Sequence, residues 1–489
     1  MKNPKPPHFL MVDLFCGAGG TTTGAEMSGV CKVIAAINHD PLAIESHAAN
    51  HRNVLHLTED VLLADTGVIA RYVAAWKQKY PQARLILWAS LECTNFSNAK
   101  GGLPRDADSR SLAHGMFRYI EALQPDLFLI ENVREFMAWG ELDSNGRPVS
   151  RLQGRDYIRW VKKVQSYGYL HDWRMLCAAD FGGVTIRERY FGAFYRPGVP
   201  FAWPQPTHAR RKAKGSLFGD HLKPWRAVAE VLDFSDLGAS IFDRKRPLVD
   251  RTLRRILTGL QKFHAQPQIM VCNSPGYCHL IARPVGALTT VNNKAMLTPI
   301  LQSYYSGSNG ISSVQQPAPT VTTRDRIAVV SPWIDRDFKR GSSQPVYQPA
   351  GTLLTRPKMN LCSAFIVNPQ YHNSGSTVNR PAPTVIATQR SRPLALATAT
   401  PDGAPKWQPC SGDTDTMLEL KAFMREGGIA DIFMRMLKVQ ELKRIQGFPD
   451  NYELKGPLDQ QKKFIGNSVE TGVVRAWLSA LSLESITAQ

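Results

Sequence analysis

The sequence predicts an α/β protein built on an open, mostly parallel sheet, and three observations support this class. Short apolar runs alternate with amphipathic stretches through the first 196 residues. Two of these runs, Leu85–Trp88 and Leu127–Ile130, are continuously apolar, which is typical of parallel strands buried on both faces. A glycine-rich turn at residues 16–20 follows the first run. We therefore expect a ligand site at the C-terminal ends of the strands.

The predicted elements of this sheet follow in chain order. The first strand, Phe9–Val12, ends at the glycine turn, and a helix begins at about Thr21. Helical spacing of apolar residues recurs around Ile44 and between Ser111 and Leu123. The other predicted strands are Val33–Ile37, Leu85–Trp88, Leu127–Ile130, Arg174–Cys177 and Arg189–Phe194.

An internal repeat occupies the middle of the chain. Four Pro-containing segments begin at Arg283, Gln316, Gln348 and Arg380, spaced 33, 32 and 32 residues apart. Apolar runs precede them at Ile269–Cys272, Ile300–Gln302, Ile327–Val330 and Ala364–Val367. A fixed period near 32 predicts four stacked, β-rich units over about residues 270–395.

Composition changes divide the chain into three predicted parts: 1–196, 197–430 and 431–489. The middle part starts with a proline-rich segment and carries basic clusters at 210–214 and 251–262. Helical texture resumes at Phe433–Ile445, and we expect the last part to return to the first domain.

Charge and cysteine usage restrict the function classes. The formal net charge of +18 favours a polyanionic partner. A basic surface that only keeps the protein in solution would have the same net charge, so this alternative stays open. The eight cysteines are scattered singly, so we expect free thiols in a reducing cytoplasm and no metal site. No apolar run is long enough for a transmembrane helix, and we expect no membrane association.

Five motifs occur in a fixed order along the chain. They are Asp13–Gly20, the segment Leu85–Ser97 around Cys93, Glu131–Val133, Arg187–Arg189, and Gln446–Pro449 with Gly466–Val469. This ordered set resembles the DNA cytosine-5 methyltransferases of phage or restriction–modification type. The resemblance covers both ends of the chain and leaves out about residues 197–431. It implies a Rossmann-like sheet that binds S-adenosyl-L-methionine, with a large β-rich inserted target-recognition region.

The resemblance also implies the catalytic residues. Cytosine C5 is a poor nucleophile, and a thiolate that adds at C6 activates it. Cys93 matches the family's nucleophile, and Glu131 matches the acid that assists at N3. Arg187 and Arg189 match the family's paired arginines, one of which helps hold the cytosine and the phosphate backbone. The resemblance further implies that the target base rotates out of a duplex into the site. The expected binding partner of this protein is therefore double-stranded DNA.

The positions that match the cofactor site are spread over four segments. They are Phe15, Gly17, Gly19 and Gly20 in the glycine turn, Asn38 and His39 after the second strand, Asp60, and Asn467 with Ser468. Three departures from the family pattern stand beside these matches. Glu92 and Thr94 flank Cys93, Asn38 replaces an acid, and Val184 with Thr185 precede the arginines.

Two alternatives remain open at this point. A catalytically silent DNA-binding protein on the same fold is favoured by Glu92, since a neighbouring carboxylate disfavours a thiolate. An RNA cytosine-5 methyltransferase is the other, although that branch lacks so large an insertion. For the main interpretation we expect a monomer in a bacterial or phage-infected cytoplasm, with a cognate restriction endonuclease as a possible partner.

Overall fold

The computed structural model describes residues 6–91, 112–140, 149, 154–210, 222–236, 238–262, 408–426 and 431–487, and the backbone of seven short strands between 268 and 396. The chain forms two compact units. The first contains residues 1–183, 187–224 and 446–489, and the second contains 184–186 and 225–445. The units change at 224/225 and 445/446, whereas the boundaries predicted from composition are 196/197 and 430/431.

A seven-stranded sheet forms the centre of the first unit. Its strands are β1 (Phe9–Leu14), β2 (Cys31–Asn38), β3 (Leu55–Thr58), β4 (Arg84–Ser90), β5 (Leu127–Asn132), β6 (Leu170–Cys177) and β7 (Glu188–Tyr195). The order is β3-β2-β1-β4-β5-β7-β6, and β1 to β5 are parallel. Strand β7 runs antiparallel to both β5 and β6. The predicted α/β class and all six predicted strands are confirmed.

The helices in the described residues are α1 (Gly20–Met27), α2 (Pro41–Asn50), α3 (Thr66–Lys79), α4 (Met116–Leu123), α5 (Arg155–Gln165), α6 (Asp250–Lys262), α7 (Asp415–Glu426), α8 (Val439–Ile445), α9 (Leu458–Asn467) and α10 (Thr471–Thr487). Three 3₁₀ turns cover Arg134–Ala138, Ala178–Phe181 and Val228–Val231. Among these described helices none has the length and hydrophobicity needed to span a bilayer.

Alternation along the strands creates two cores, one on each face of the sheet. Leu10 and Val12 belong to the core that helices α3, α4 and α5 cover, in which Trp160 is buried. Phe9 and Met11 belong to the opposite core, to which α1, α2 and α10 contribute. Both faces of β1 are therefore buried, which explains its continuous apolar sequence.

The strand order reverses between β1 and β4. From β1 the chain proceeds outward to β2 and β3, then returns to β4 on the other side of β1. In open α/β sheets the crevice outside the carboxyl ends of the strands at such a reversal is where ligands bind. The glycine turn follows β1, and the segment that contains Cys93 follows β4.

The second unit contains a five-stranded antiparallel sheet. Its strands are β10 (Ala239–Ser240), β11 (Gln268–Val271), β12 (Tyr277–Leu280), β13 (Lys294–Thr298) and β18 (Phe433–Met436), in the order β10-β18-β13-β11-β12. The remaining strands are short pairs: β8 (His208–Ala209) with β9 (Lys223–Pro224) in the first unit, and β14 (Trp333–Ile334) with β15 (Gln344–Pro345) and β16 (Ile366–Val367) with β17 (Ala395–Leu396) in the second.

Of the repeat's apolar runs, Ile269–Cys272 and Ala364–Val367 contribute strand residues. The runs Ile300–Gln302 and Ile327–Val330 lie outside the described residues.

The predicted helix over Phe433–Ile445 is wrong in its first part. Phe433–Met436 is a strand that pairs antiparallel with β13 and β10, and only Val439–Ile445 is helical. Pairing with two distant strands overrides the local helical spacing, since β preference depends mainly on tertiary context. Helix α6, by contrast, confirms the predicted basic helix at 251–262.

Candidate active site

The turn after β1 has the backbone of a ligand cradle. Phe15, Gly17 and Gly19 have φ values of +58°, +52° and +97°, a left-handed region that favours glycine. A Cβ placed on Gly17 would meet no atom within 4 Å, so the turn faces open space there. The Cys16 N–H donates to the Ile37 carbonyl (3.1 Å) and fixes the turn to the end of β2. The backbone of the predicted glycine turn is therefore unobstructed at Gly17.

The segment between α9 and α10 packs against the same turn. A Cβ on Gly20 would collide with the Ser468 hydroxyl and would lie 2.7 Å from the Val469 carbonyl oxygen. Glycine is thus required at position 20 because the C-terminal segment approaches its backbone closely. The structure brings Ser468, predicted as a cofactor residue, beside the glycine turn, although 448 positions separate Gly20 from it.

Tyr452 is a residue of this site that sequence reasoning missed. Its hydroxyl donates to the Ala18 carbonyl (2.5 Å) and lies 3.2 Å from His51 Nε2. The side chain is 5% exposed, so its hydroxyl depends on these protein partners. The available signal was its position in the stretch that begins with the Gln446 motif, but no pattern specified the long-range contact.

Polar residues follow the end of β2. Asn38 is 8% exposed, and its Oδ1 accepts the Asp40 N–H (2.9 Å). Asp40 is the N-cap of α2, because its Oδ1 accepts the N–H groups of Leu42 and Ala43. Asp40 Oδ2 lies 3.4 Å from Lys463 Nζ. Asp40 therefore has a structural role, and the predicted Asn38 stands at the strand end with the exposed His39.

Two further predicted cofactor residues are exposed. Asp60 follows β3, and one of its carboxylate oxygens accepts the Leu62 N–H (2.8 Å). Asn467 is the last residue of α9. The neighbouring Ser468 carbonyl accepts from Gln446 Nε2 (2.6 Å), so the motif at Gln446 holds the Ser468 segment in place.

Glu131 and Arg189 form an ion pair between neighbouring strands. Arg189 Nε lies 3.4 Å from Glu131 Oε1, and both side chains are largely buried. Burial raises the pKa of Glu131, while the positive charges of Arg187 and Arg189 oppose that rise. Arg187 is 5% exposed and donates through Nη1 to the Gly466 carbonyl (3.1 Å). Three predicted catalytic residues are thus brought together at one edge of the sheet.

Cys93 and its neighbours Glu92 and Thr94 lie outside the described residues. The chain is described as far as Leu91, which is buried, and the Leu91 carbonyl accepts from Asn132 Nδ2 (3.4 Å). Ser90, at the end of β4, is in register with Glu131 on β5. The described residues that precede the predicted nucleophile are therefore fixed beside the strand that carries the predicted acid.

Glu470 is a second residue that sequence reasoning missed. It is 4% exposed, its Oε2 accepts the Val473 N–H (2.9 Å) at the start of α10, and burial raises its pKa to about 7. Its position directly after the Gly466–Val469 motif was the available signal, but sequence does not show that the carboxyl is buried.

Comparison with known proteins identifies a family for this chain. The profile of the C-5 cytosine-specific DNA methylases matches residues 9–232 and 357–482. The chain is 27% identical over 226 residues to the type II methyltransferase M.AquIA of Picosynechococcus sp., an alignment that covers 45% of this chain and 87% of that protein.

Two other relatives are matched over less of their length. Type II methyltransferase M.AgeI of Thalassovita gelatinovora is 28% identical over 43% of this chain and 44% of its own length. Type II methyltransferase M.XorII of Xanthomonas oryzae pv. oryzae is 29% identical over 43% of this chain and 45% of its own length. The chain thus aligns with less than half the length of these two relatives.

The α/β sheet, with its glycine turn after β1 and the Glu131–Arg189 pair, is that of a methyltransferase. The chain belongs to the family of C-5 cytosine-specific DNA methylases.

Proposed function

We propose that this protein transfers a methyl group from S-adenosyl-L-methionine to C5 of cytosine in double-stranded DNA. The observation that carries the proposal is the Glu131–Arg189 pair between β5 and β7, with Arg187 directly before β7. Strand β5 also pairs with β4, which leads to Cys93. The glycine turn lies at the end of β1, next to β4 in the same sheet. Donor and acceptor sites are therefore neighbours at the reversal of strand order.

The residues of the glycine turn fit the cofactor. Gly17 leaves free the space that a side chain would fill, and Phe15 and Gly19 hold the turn open in the left-handed conformation. Exposed Asp60 offers carboxylate oxygen to an amino group, and Asn38 with His39 offer polar groups to hydroxyls. When bound, the cofactor supplies an electrophilic methyl group. Asn467 and Ser468 belong to the segment that closes on the turn.

The chemistry on the base is divided among the acceptor-site residues. The Cys93 thiolate forms a bond to C6 of a cytosine rotated out of the duplex, while the proton of Glu131 is shared with N3. Addition at C6 would move the former C5–C6 electron pair into an enamine, which makes C5 nucleophilic toward the methyl group that a bound donor would supply, and the donor sulfur would leave as a neutral thioether. Loss of the C5 proton to solvent and departure of the Cys93 thiolate from C6 would restore the C5–C6 double bond, and the N3 proton would return to Glu131. Burial of Glu131 favours the protonated carboxyl that the first step needs.

The paired arginines have different tasks in this proposal. Arg187 is anchored to the Gly466 carbonyl and is nearly inaccessible, so it sets the local field around Glu131. Arg189 has a larger exposed fraction, 15% of its side chain, and contacts Glu131 directly. We assign to Arg189 the role of contacting the cytosine base and the phosphate backbone of the DNA.

Target recognition is proposed for the middle of the chain, residues 197–430, with its four repeats near 270–395. Lys and Arg of this region would contact phosphates, and loop side chains would read base edges in the groove. We further propose that the protein acts as a monomer in a bacterial or phage-infected cell, beside a cognate restriction endonuclease.

Covalent trapping tests the reaction. A duplex that carries 5-fluorocytosine should give a denaturation-resistant adduct with wild-type protein and donor, because fluorine at C5 blocks the final elimination. Cys93→Ser should give no adduct while it retains DNA binding. Cys410→Ser is the matched control, since Cys410 is an exposed thiol of the second unit. Methyl transfer by Cys93→Ser within tenfold of wild type would exclude Cys93 as the nucleophile.

A further inference from the structure

Four polar side chains form a continuous hydrogen-bonded chain around the glycine turn. Thr22 Oγ1 donates to Asp13 Oδ2 (2.9 Å), and His47 Nε2 lies 3.0 Å from Thr22 Oγ1. His47 Nδ1 lies 2.9 Å from His56 Nε2. The chain therefore runs from β1 through α1 and α2 to β3, and its members flank the turn on both sides in sequence.

One end of the chain is deeply buried and the other reaches the surface. Asp13 is 0% exposed, and its Oδ1 has no hydrogen-bond partner among the described residues. Burial raises the pKa of Asp13 to about 7, so both charge states are populated near neutral pH. His56 is half-buried and can exchange protons with solvent. His47 is fully buried, and burial lowers its pKa, which keeps the ring neutral between its neighbours.

The geometry permits two opposite directions of hydrogen bonding. In one, His56 donates to His47, His47 donates to Thr22, and Thr22 donates to the Asp13 carboxylate. In the other, a protonated Asp13 donates to Thr22, Thr22 donates to His47 Nε2, and His47 Nδ1 donates to His56. Neutral imidazole and hydroxyl groups each both donate and accept, so either direction is complete. Reversal carries one proton from one end of the chain to the other.

Other titratable groups face this chain and are part of its electrostatics. His51, the C-cap residue of α2, has its ring centroid 4.8 Å from that of His47. His51 Nδ1 lies 2.9 Å from Glu26 Oε2, and its Nε2 lies 3.2 Å from both Thr23 Oγ1 and the Tyr452 hydroxyl. Among the described residues, the titratable groups that face the chain therefore include Glu26, His51 and Tyr452, with Cys16 and Cys31 near Asp13.

We propose that Asp13, Thr22, His47 and His56 form a proton relay that couples the charge of Asp13 to the ligand held in the glycine turn. The proposal rests on the proposed function, because it assigns that turn to S-adenosyl-L-methionine. This donor carries a sulfonium cation, whereas the product S-adenosyl-L-homocysteine is neutral at sulfur. A cation bound at the turn stabilises the Asp13 carboxylate in a poorly screened interior. The Asp13 proton then leaves through Thr22, His47 and His56 to solvent, while product binding leaves it in place.

Calorimetry of the full-length protein tests this relay with two probes, S-adenosyl-L-methionine and S-adenosyl-L-homocysteine. Titrations in buffers of different ionisation enthalpy give the number of protons released per ligand bound. With the pKa of Asp13 at about 7, the donor should release roughly half a proton more than the product at pH 7. The affinity for the donor should rise with pH across this range, because the carboxylate form binds the cation.

Three variants separate the relay from general effects. Asp13→Asn should abolish the part of the difference in proton release between the two ligands that comes from Asp13. Protons released by the ligands' own amino groups remain as a constant background. Thr22→Val removes the hydroxyl that lowers the pKa of Asp13 and should move donor-linked proton release to higher pH. Thr22→Ser keeps the hydroxyl and should restore wild-type behaviour. His171→Gln is the matched control, a histidine of β6 outside the chain.

The outcomes distinguish the relay from the proposed function. If Asp13→Asn fails to fold, the Thr22→Val and Thr22→Ser pair decides the matter. Binding of both ligands with proton numbers that Asp13 and Thr22 substitutions do not change would overturn the relay and leave the proposed function intact. Failure of wild-type protein to bind either ligand would overturn the proposed function itself.

Discussion

Arg189 and Glu131 are joined by an ion pair in which Nε lies 3.4 Å from Oε1, across the antiparallel pairing of β7 with β5. Two opposing effects act on this carboxyl. Burial raises the pKa of Glu131, and the charges of Arg187 and Arg189 lower it. The protonated fraction of Glu131 therefore depends on the arginines as much as on burial, and this dependence can be measured.

Replacing Arg189 by Gln should move the alkaline limit of methyl transfer to higher pH. Glu131 must carry a proton to assist at N3, so the rate falls as pH rises through its pKa. Removal of the neighbouring positive charge raises that pKa further. Single-turnover rates against pH measure the shift, and Glu131→Gln should lower the rate by about 10²–10⁴ below the pKa of Glu131, with a smaller loss above it. Arg134→Gln removes an exposed arginine paired with Glu188 and serves as control. An unmoved alkaline limit in Arg189→Gln would contradict the assignment.

Gly20→Ala should weaken cofactor binding at least tenfold. The added methyl group would collide with Ser468 and with the Val469 carbonyl, and a backbone atom cannot rotate away. The C-terminal segment would then shift from the turn. Equilibrium binding of S-adenosyl-L-homocysteine measures the loss. Gly29→Ala, just after α1, is the control: its φ is +71° but the space around it is open, so it should cost about 1 kcal/mol of stability and leave binding unchanged. Equal losses of S-adenosyl-L-homocysteine affinity in Gly20→Ala and Gly29→Ala would contradict the explanation by close packing of Gly20 against Ser468 and Val469.

Glu470→Gln should stabilise the protein at pH 8 by up to about 3 kcal/mol and have little effect at pH 5. Burial raises the pKa of Glu470 from 4.5 to about 7, so the folded state holds a proton that the unfolded state has lost between these values. Stability from this group therefore falls as pH rises from about 4.5 to 7 and is constant above. Glutamine keeps the acceptor for the Val473 N–H. Denaturant unfolding at both pH values provides the measurement.

The exposed Glu45 on α2 supplies the control for that experiment. Glu45→Gln should change stability by less than about 0.5 kcal/mol at either pH. A Glu470→Gln effect that does not depend on pH would show that Glu470 is already charged in the folded protein.

Exchanging residues 270–395 for the corresponding region of a relative with another target should change the methylated sequence while methyl transfer continues. The proposed chemistry resides in residues before 197 and after 445, whereas the repeat lies between them. Bisulfite sequencing of DNA from expressing cells reports activity and target context together. An unchanged target would place the readout elsewhere, with the basic helix α6 as the next region to exchange.

Much of the sheet was predictable from sequence because its strands are buried on both faces. Continuous apolar runs such as Leu85–Trp88 leave little choice but a buried strand, and all six predicted strands occur. The prediction failed at Phe433–Met436, where the spacing of apolar residues indicates a helix but the structure has a four-residue strand. That strand exists because its backbone pairs with β13 and β10, and such pairing leaves no local signal.

By itself, the sequence determined the order of chemical groups along the chain: the glycine turn after β1, the acid at Glu131, and Arg187 and Arg189 at the start of β7. Each of these is a local feature, set by residue type and by the strand that precedes it. Tertiary structure alone decided which groups meet, since contacts such as Tyr452 with Ala18 and Gly20 with Ser468 join residues more than 400 positions apart. It also decided the environments of Asp13 and Glu470, because burial of a carboxyl depends on every element packed around it. Local sequence patterns do not specify these long-range contacts or the burial of these carboxyl groups.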